Sequence, residues 1–319
     1  MPTFDHAFDW ARRHVDDGRL PTAVLGIATA DGVVALDAFG EASADDHYPL
    51  FSITKPIVGL AALSLIEEGR LAQDAPLTVA IPQFGADRED LVRLRHLASH
   101  TSGIVEPPMD APGLRGLLLA PGRDFAAGTV SRYSTIGFEG IAALIEQASG
   151  APWQRAVAEV GERADAPGLT FDFEASRHDP IDAAERGLDW DRMKRLRHPG
   201  AGLFARATDL LALGSALLRD DGSVVSPITV EAMRRPLTTG LPKLEPYVAE
   251  RGQDWGFAWN LRTRAPGLID RDVYGHAGWG GTEFWVHPSA GVAWVLLTNI
   301  APPQDVDPDE LDNAVVSGI

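Results

Sequence analysis

The chain has no cysteine among its 319 residues, which excludes disulfides, thiolate nucleophiles and any cysteine-based zinc site. It has no basic excess either, since 28 Lys and Arg stand against 45 Asp and Glu for a formal net charge of −17. Nucleic acids and anionic membranes need a basic footprint, so neither is an expected partner. No uncharged apolar run reaches the roughly 18 residues that a transmembrane helix needs. The N-terminus, MPTFDHAFDWARRHVDDGRLP, lacks the basic-then-apolar pattern of an export signal. A cytoplasmic location is the expectation that follows. Lysine is the last scarcity: Lys55, Lys194 and Lys243 are its only occurrences, so nearly all the positive charge is arginine. Arginine keeps its proton at any accessible pH, whereas a lysine whose surroundings disfavour its charge gives up its proton and acts as a base. Lys55, three residues after Ser52, is therefore the position to follow.

What is present is enough for a large core or two lobes, with 45% hydrophobic residues, 32 Gly and 23 Pro. The first residues read as an amphipathic helix presenting Phe4, Phe8 and Val15. Two β-rich runs, at about 23–28 and 33–39, flank Asp31-Gly32, a dipeptide suited to a tight hairpin. In LFSITKPIVGLAALSLIEEGRL, Pro56 is tolerated only in the first turn of a helix, so the helix begins close to Ser52. Residues 57–66 are apolar almost all round, the mark of a buried helix, and Gly69 supplies a cap. From about 70 to 200, short helical patterns alternate with Pro- and Gly-rich connections such as PQFGADRED, EPPMDAPG and RADAPG. ATDLLALGSALLRDDG is a strong amphipathic helix, and strand patterns return in WGFAWNLRT, DVYGHAG, TEFWVHP and GVAWVLLTN. PDELDNAVVSGI reads as a short final helix. The expected fold is mixed α/β (α+β): an antiparallel sheet flanked by helices, built from residues 1–50 and 200–319, with an all-helical lobe of residues 51–199 inserted and a cleft between them.

Ser52 in the first turn and Lys55 one turn later share a helix face, which brings amine and hydroxyl within hydrogen-bond reach. The partial positive charge of a helix N-terminus favours a developing alkoxide there and disfavours a protonated lysine. The commoner hydrolase signature, G-x-S-x-G, is missing, as are H-E-x-x-H, a P-loop and a G-x-G-x-x-G before a helix. His96 and His100 stand four apart in HLASH without a glutamate between them, and packing or loop hydrogen bonding is the expected role for both, with no metal site. Tyr133 precedes an apolar helix at a loop position from which a phenol could reach a cleft. His276-Ala277-Gly278 ends one strand before a glycine-rich turn, and glycine in a strand often marks a close approach.

In this order and spacing, five stretches resemble the serine β-lactamase and penicillin-binding-protein superfamily, and within it the class C-like serine hydrolases of the esterase and transacylase branch. They are FSITKP as the S-x-x-K motif, LRHLASHTSGI as the loop after it, YSTIGF at the Y-x-N site, HPGAGLFARATDLLALGSALL as a helix with a GGL-x-x-x-A-x-D pattern, and GHAGWGGTEFWVHP at the K-T-G or H-x-G site. The resemblance runs from about Tyr48 to Asn299 and is poorest over residues 165–197. It implies a β-lactamase/transpeptidase-like fold and an acyl-accepting nucleophile at Ser52. Lys55 and Tyr133 would shuttle its proton, and the backbone N–H groups of Ser52 and Trp279 would form the oxyanion hole. Thr135, His276, Ala277 and Gly278 would contact substrate. No cofactor or metal is implied, and the expected partner is a small-molecule acyl substrate; the oligomeric state is left open.

Two departures bear on substrate. Thr135 stands where the family usually has Asn, and one hydroxyl cannot make the donor-plus-acceptor contacts of a carboxamide. His276 replaces a lysine that would favour carboxylate-bearing substrates, and carries that charge only when protonated. The leading expectation is a serine hydrolase or acyltransferase acting on small ester or activated acyl substrates. A D-amino-acid amidase or peptidase, or a weak β-lactamase, is the alternative. A non-catalytic binding or assembly protein ranks last, because Ser, Lys and Tyr are all kept. Trp279, Phe284 and Trp285 are candidates for an apolar acyl pocket.

Overall fold

The computed structural model describes residues 3–245, 253–264, 268, 270–303 and 305–319. Among them the chain begins with helix α1 (Asp5–Asp16), the hairpin β1 (Thr22–Thr29) and β2 (Gly32–Gly40), and a short strand β3 (Tyr48–Pro49). A helical stretch follows: α2 (Thr54–Glu67), α3 (Leu94–Ala98), α4 (Leu114–Leu117), α5 (Gly137–Ser149), α6 (Trp153–Arg163) and α7 (Trp190–Leu196). The last part comprises β4 (Phe204–Ala205), α8 (Ala207–Arg219), α9 (Pro227–Met233), β5 (Asp254–Trp255), β6 (Asn260–Leu261), β7 (Tyr274–Ala277), β8 (Glu283–His287), β9 (Val292–Leu297) and α10 (Pro308–Val316). One seven-stranded sheet runs β2-β1-β9-β8-β7-β6-β5, every neighbour antiparallel. The expected antiparallel sheet, drawn from both ends of the chain and flanked by helices, is thus present. Among the described residues no helix is long and apolar enough to cross a membrane.

Side chains alternate across a strand, and the core divides accordingly. Val24 and Ala28, Phe284 and Val286, and Val295 and Leu297 join α8, α2 and α5 on one face. Leu25 and Ile27, Trp285, Trp294 and Leu296 join α1 and α10 on the other. The sheet is therefore the middle layer of three. Helix α2 lies deepest: every residue from Thr54 to Leu65 is buried. Each such Leu or Ile contributes about 1.5–3 kcal/mol, which anchors the helix firmly enough to carry a lysine into the interior.

Local readings are corrected in four places. Both hairpin strands are longer by a residue at each end, and their turn is Ala30-Asp31, because Gly32, at φ +124°, already pairs with Thr29. On α1 the deeply buried side chains are Ala7, Trp10, Ala11 and His14, with Phe4 just ahead of the helix; Phe8 and Val15 are only half-buried at its edge. WGFAWNLRT is not one strand, because Ala258 turns to φ +66° and separates β5 from β6. HPGAGLFARATDLLALGSALL is helical only from Ala207. Its first half is a turn and β4, which pairs with β3 through Tyr48↔Ala205 and Pro49↔Phe204.

Candidate active site

Ser52 lies in a 3-10 turn, Phe51–Ile53, that runs directly into α2. Phe51 holds φ +45°, a left-handed conformation uncommon for a non-glycine residue, and it is fully buried. Such strain persists only where packing over-determines it. Here the packing comes from Trp190 and Trp279, with ring centroids 5.5 and 5.3 Å from that of Phe51. The short β3–β4 ladder ties the same place from behind: Leu50 N–H donates to Leu203 O, and Leu203 N–H donates to Thr54 Oγ1.

The three residues expected to act together meet at one oxygen. Lys55 Nζ is 3.0 Å from Ser52 Oγ, and the Tyr133 hydroxyl is 2.6 Å from it on another side. Lys55 is fully buried; its remaining contacts are Gly200 O at 2.8 Å and Thr135 Oγ1 at 3.3 Å. A carbonyl only accepts, so one Lys55 N–H is committed to Gly200. Its other two contacts, Thr135 Oγ1 and Ser52 Oγ, are hydroxyls able to donate as well as accept, so Ser52 can pass its proton to Lys55 when the amine is neutral. Burial lowers the lysine to about 7, against a smaller opposing effect of Glu106. The Lys55 Nζ also lies 4.7 Å from the Tyr133 ring centroid and 5.5 Å from that of Phe138.

Three buried histidines surround this group, and burial lowers all of them, with the Lys55 charge as a further cause: His100 well below its usual value, His198 and His276 to about 3. Neutral imidazoles therefore line the site at neutral pH. His276, on β7, has its Nδ1 2.7 Å from Ala277 O, so Nδ1 carries the hydrogen; its Nε2 has no hydrogen-bond partner among the described residues. Its ring centroid is 5.9 Å from that of Tyr133, with Trp255 at 5.4 Å from His276. His276 thus borders the tyrosine, and it is fully buried and supplies no fixed positive charge. His100 does not share a helix face with His96, because α3 ends at Ala98 and His100 turns to φ +58°. It packs on Tyr133 at 4.4 Å between ring centroids, while His96 Nδ1 accepts the N–H of Arg93.

On the opposite side, Gly278 follows β7 and closes on the serine turn. A Cβ at Gly278 would come within 2.6 Å of Leu50 O and against the Thr282 hydroxyl, so only glycine lets the Trp279 peptide approach. The first N–H groups of a helical turn have no partner within it, and Ser52 occupies such a position in the turn Phe51–Ile53. Phe284 and Trp285 are buried in the core on opposite faces of β8, so of the three aromatic candidates only Trp279 stands at the site.

Four contributors were not singled out from the sequence. The Gly200 carbonyl holds Lys55, and His198 Nδ1 accepts the Gly200 N–H at 2.9 Å, fixing that turn. A Cβ at Gly200 would crowd the Thr135 carbonyl at 2.9 Å, so the HPG turn needs its glycine. The weakly matched residues 165–197 cover the serine turn, with Ala183, Leu188 and Met193 clustered against Phe51 and the Arg186 guanidinium 3.6 Å above the Trp279 ring. Glu106, in the Pro-rich EPPMDAPG stretch, is exposed over much of its surface, yet its carboxylate turns inward to accept N–H groups from Thr135 and Ile136.

The sequence matches the family described as Beta-lactamase over residues 8–317. Among curated proteins, Esterase EstB of Burkholderia gladioli is 28% identical, over 93% of this chain and 90% of its own length. Among solved structures, a penicillin-binding protein homolog from Caulobacter crescentus superposes with a TM-score of 0.80 at 22% identity, covering 99% of this chain and 97% of that one. EstCE1, a hydrolase with promiscuous acyltransferase activity, gives 0.78 at 20% identity over 98% and 97%. The two structural likenesses speak for the fold.

Proposed function

The chain belongs to the Beta-lactamase family, and from that footing we propose that it is a serine hydrolase working through an acyl-Ser52 intermediate on small ester or activated acyl substrates. The observation that carries the reading is Ser52 Oγ held between Lys55 Nζ at 3.0 Å and the Tyr133 hydroxyl at 2.6 Å, at the rigid start of a buried helix. Such a mount keeps nucleophile and base oriented for attack.

In the proposed reaction Ser52 Oγ bonds to the acyl carbon as its proton passes to Lys55 Nζ, and the carbonyl π electrons move onto oxygen. The N–H groups of Ser52 and Trp279 receive that oxyanion, each donor worth about 3 kcal/mol in the transition state. Collapse breaks the bond to the alcohol oxygen, which takes the proton back through Lys55 and Tyr133. Water then repeats the sequence to release the acid; an alcohol or amine in its place makes the enzyme a transacylase. Substrate would enter between the sheet layers (residues 1–50 and 200–319) and the helical part (51–199). Esters are favoured over β-lactams and D-amino-acid amides because Thr135 offers no carboxamide and neutral His276 offers no charge for a carboxylate. The esterase activity named for EstB and the acyltransferase activity named for EstCE1 agree with this choice.

The test is intact-mass spectrometry of the wild type and Ser52→Ala after exposure to a fluorophosphonate and, separately, to a p-nitrophenyl acyl ester. One adduct on the wild type, mapped to the Ser52 peptide and absent from the variant, is expected. Equal labelling of both proteins, or of neither, would remove the acyl-enzyme and leave the cleft a binding site.

A further inference from the structure

Lys55 is fully buried, and its three hydrogen-bond contacts are all neutral oxygens. The groups facing it are Tyr133 from the loop before α5, His100 from the loop after α3, His198 from the turn before β4 and His276 from β7. None of the histidines carries compensating negative charge. The carboxylate that acts on Lys55 is Glu106. Its Oε1 accepts the Thr135 N–H at 2.8 Å, and its two oxygens accept the Ile136 N–H at 3.3 Å. Thr135 in turn places its hydroxyl 3.3 Å from Lys55 Nζ. Glu106 therefore reaches the lysine twice, through space by its charge and through one residue by the peptide it grips.

We propose that Glu106 is the positioning and charge-balancing residue of this site: its carboxylate fixes the Tyr133–Ile136 loop against Lys55 and supplies the negative charge that the buried lysine lacks among its direct contacts. The proposal rests on the Ser52–Lys55 reading above for its catalytic meaning, but the grip of Glu106 on the Thr135 and Ile136 N–H groups stands by itself. Burial pushes the Glu106 carboxyl up and the Lys55 amine down, so each holds the other's charge. Removing one moves the other. The N–H donors of Thr135 and Ile136 favour the carboxylate over the acid, and they lie just ahead of α5, whose N-cap is Ile136.

The scarcity of lysine makes a direct test practical. With three lysines in the chain, ε-13C-lysine labelling gives three resonances, assigned with Lys194→Arg and Lys243→Arg. In the wild type the Lys55 resonance is expected to titrate near pH 7. Glu106→Gln keeps an acceptor oxygen and deletes the charge, and is expected to lower that midpoint by about 1 pH unit while leaving Lys194 and Lys243 in place. Glu106→Asp keeps the charge and shortens the reach; it is expected to hold the midpoint near that of the wild type and to slow fluorophosphonate labelling of Ser52 about tenfold. An unmoved Lys55 midpoint in Glu106→Gln overturns the proposal, as does an undiminished labelling rate in Glu106→Asp. If Ser52 is not labelled in the wild type at all, the hydrolase reading fails while the lysine titration still decides the role of Glu106.

Discussion

Two buried basic side chains, Arg262 and Lys55, lie on opposite faces of the sheet and are treated differently. On the face packed by α1 and α10, Arg262 donates to Asp309 at 2.9 Å. Beside it the indole of Trp294 and the ring of His287 both meet Asp312, at 2.7 and 2.9 Å. On the other face Lys55 is more deeply buried than Arg262 and touches neutral oxygens, the nearest being Gly200 O at 2.8 Å. A buried ion paired at contact is held in its charged state and serves structure. One left to neutral partners has its proton affinity lowered by desolvation, which is the condition a base at neutral pH needs. The contrast sets a scaffold face against a face whose lysine is suited to act as a base, and it does so without reference to any motif.

The sharpest way to press on that contrast is at the nucleophile. Ser52→Ala is expected to lower kcat/KM for a p-nitrophenyl ester by at least about four orders of magnitude, with the fold intact by circular dichroism. Lys55→Met should cost about two to four orders of magnitude in steady-state assays, because it removes the base and leaves the serine. The same variant reads the linkage. Burial lowers Lys55 from 10.5 to about 7 in the folded chain, so the unfolded chain is expected to bind the extra proton between those values. Wild-type stability therefore rises with pH across that window, and the melting temperature of Lys55→Met should lose ground to the wild type from pH 7 to pH 10.

Next in size is the pH profile: with Lys55 as base, kcat/KM of the wild type should fall about tenfold per pH unit below about 7. A flat profile down to pH 5 would mean that the lysine works in its charged form. The smallest effect belongs to the scaffold face. Arg262→Met should cost about 1.5–3 kcal/mol in denaturant unfolding and leave kcat/KM unchanged. A loss of activity there would erase the distinction between the two faces.

The parts legible in the sequence are those that depend on local periodicity or on a side chain doing chemistry itself. The all-apolar run after Pro56 is a buried helix, strand alternation reappears near the C-terminus, and Ser52, Lys55 and Tyr133 converge on one oxygen. What stayed hidden acts through the backbone. Gly200 contributes a carbonyl, His198 braces that carbonyl's turn, and Glu106 grips two peptide N–H groups. Sequence patterns report side-chain identity, and these residues matter for where they put main-chain atoms. The β3–β4 ladder was illegible for a related reason: two residues long on each side, it has no room for alternation, and its partners are about 155 positions apart.

The central position of β9 beside β1, with Val24 opposite Leu297, sets a condition on how the protein is made. Ser52 and Lys55 precede the strand that ends at Ala277 and the peptide of Trp279 by more than two hundred residues, and the sheet closes only when β9 inserts between β8 and β1. A topology so rich in non-local pairings folds slowly. During translation the buried helix α2 must wait for its covering, a long interval of exposed apolar surface that favours chaperone capture. In the proposed mechanism the serine precedes its oxyanion partner by more than two hundred residues, so that reactivity is acquired together with the closed sheet.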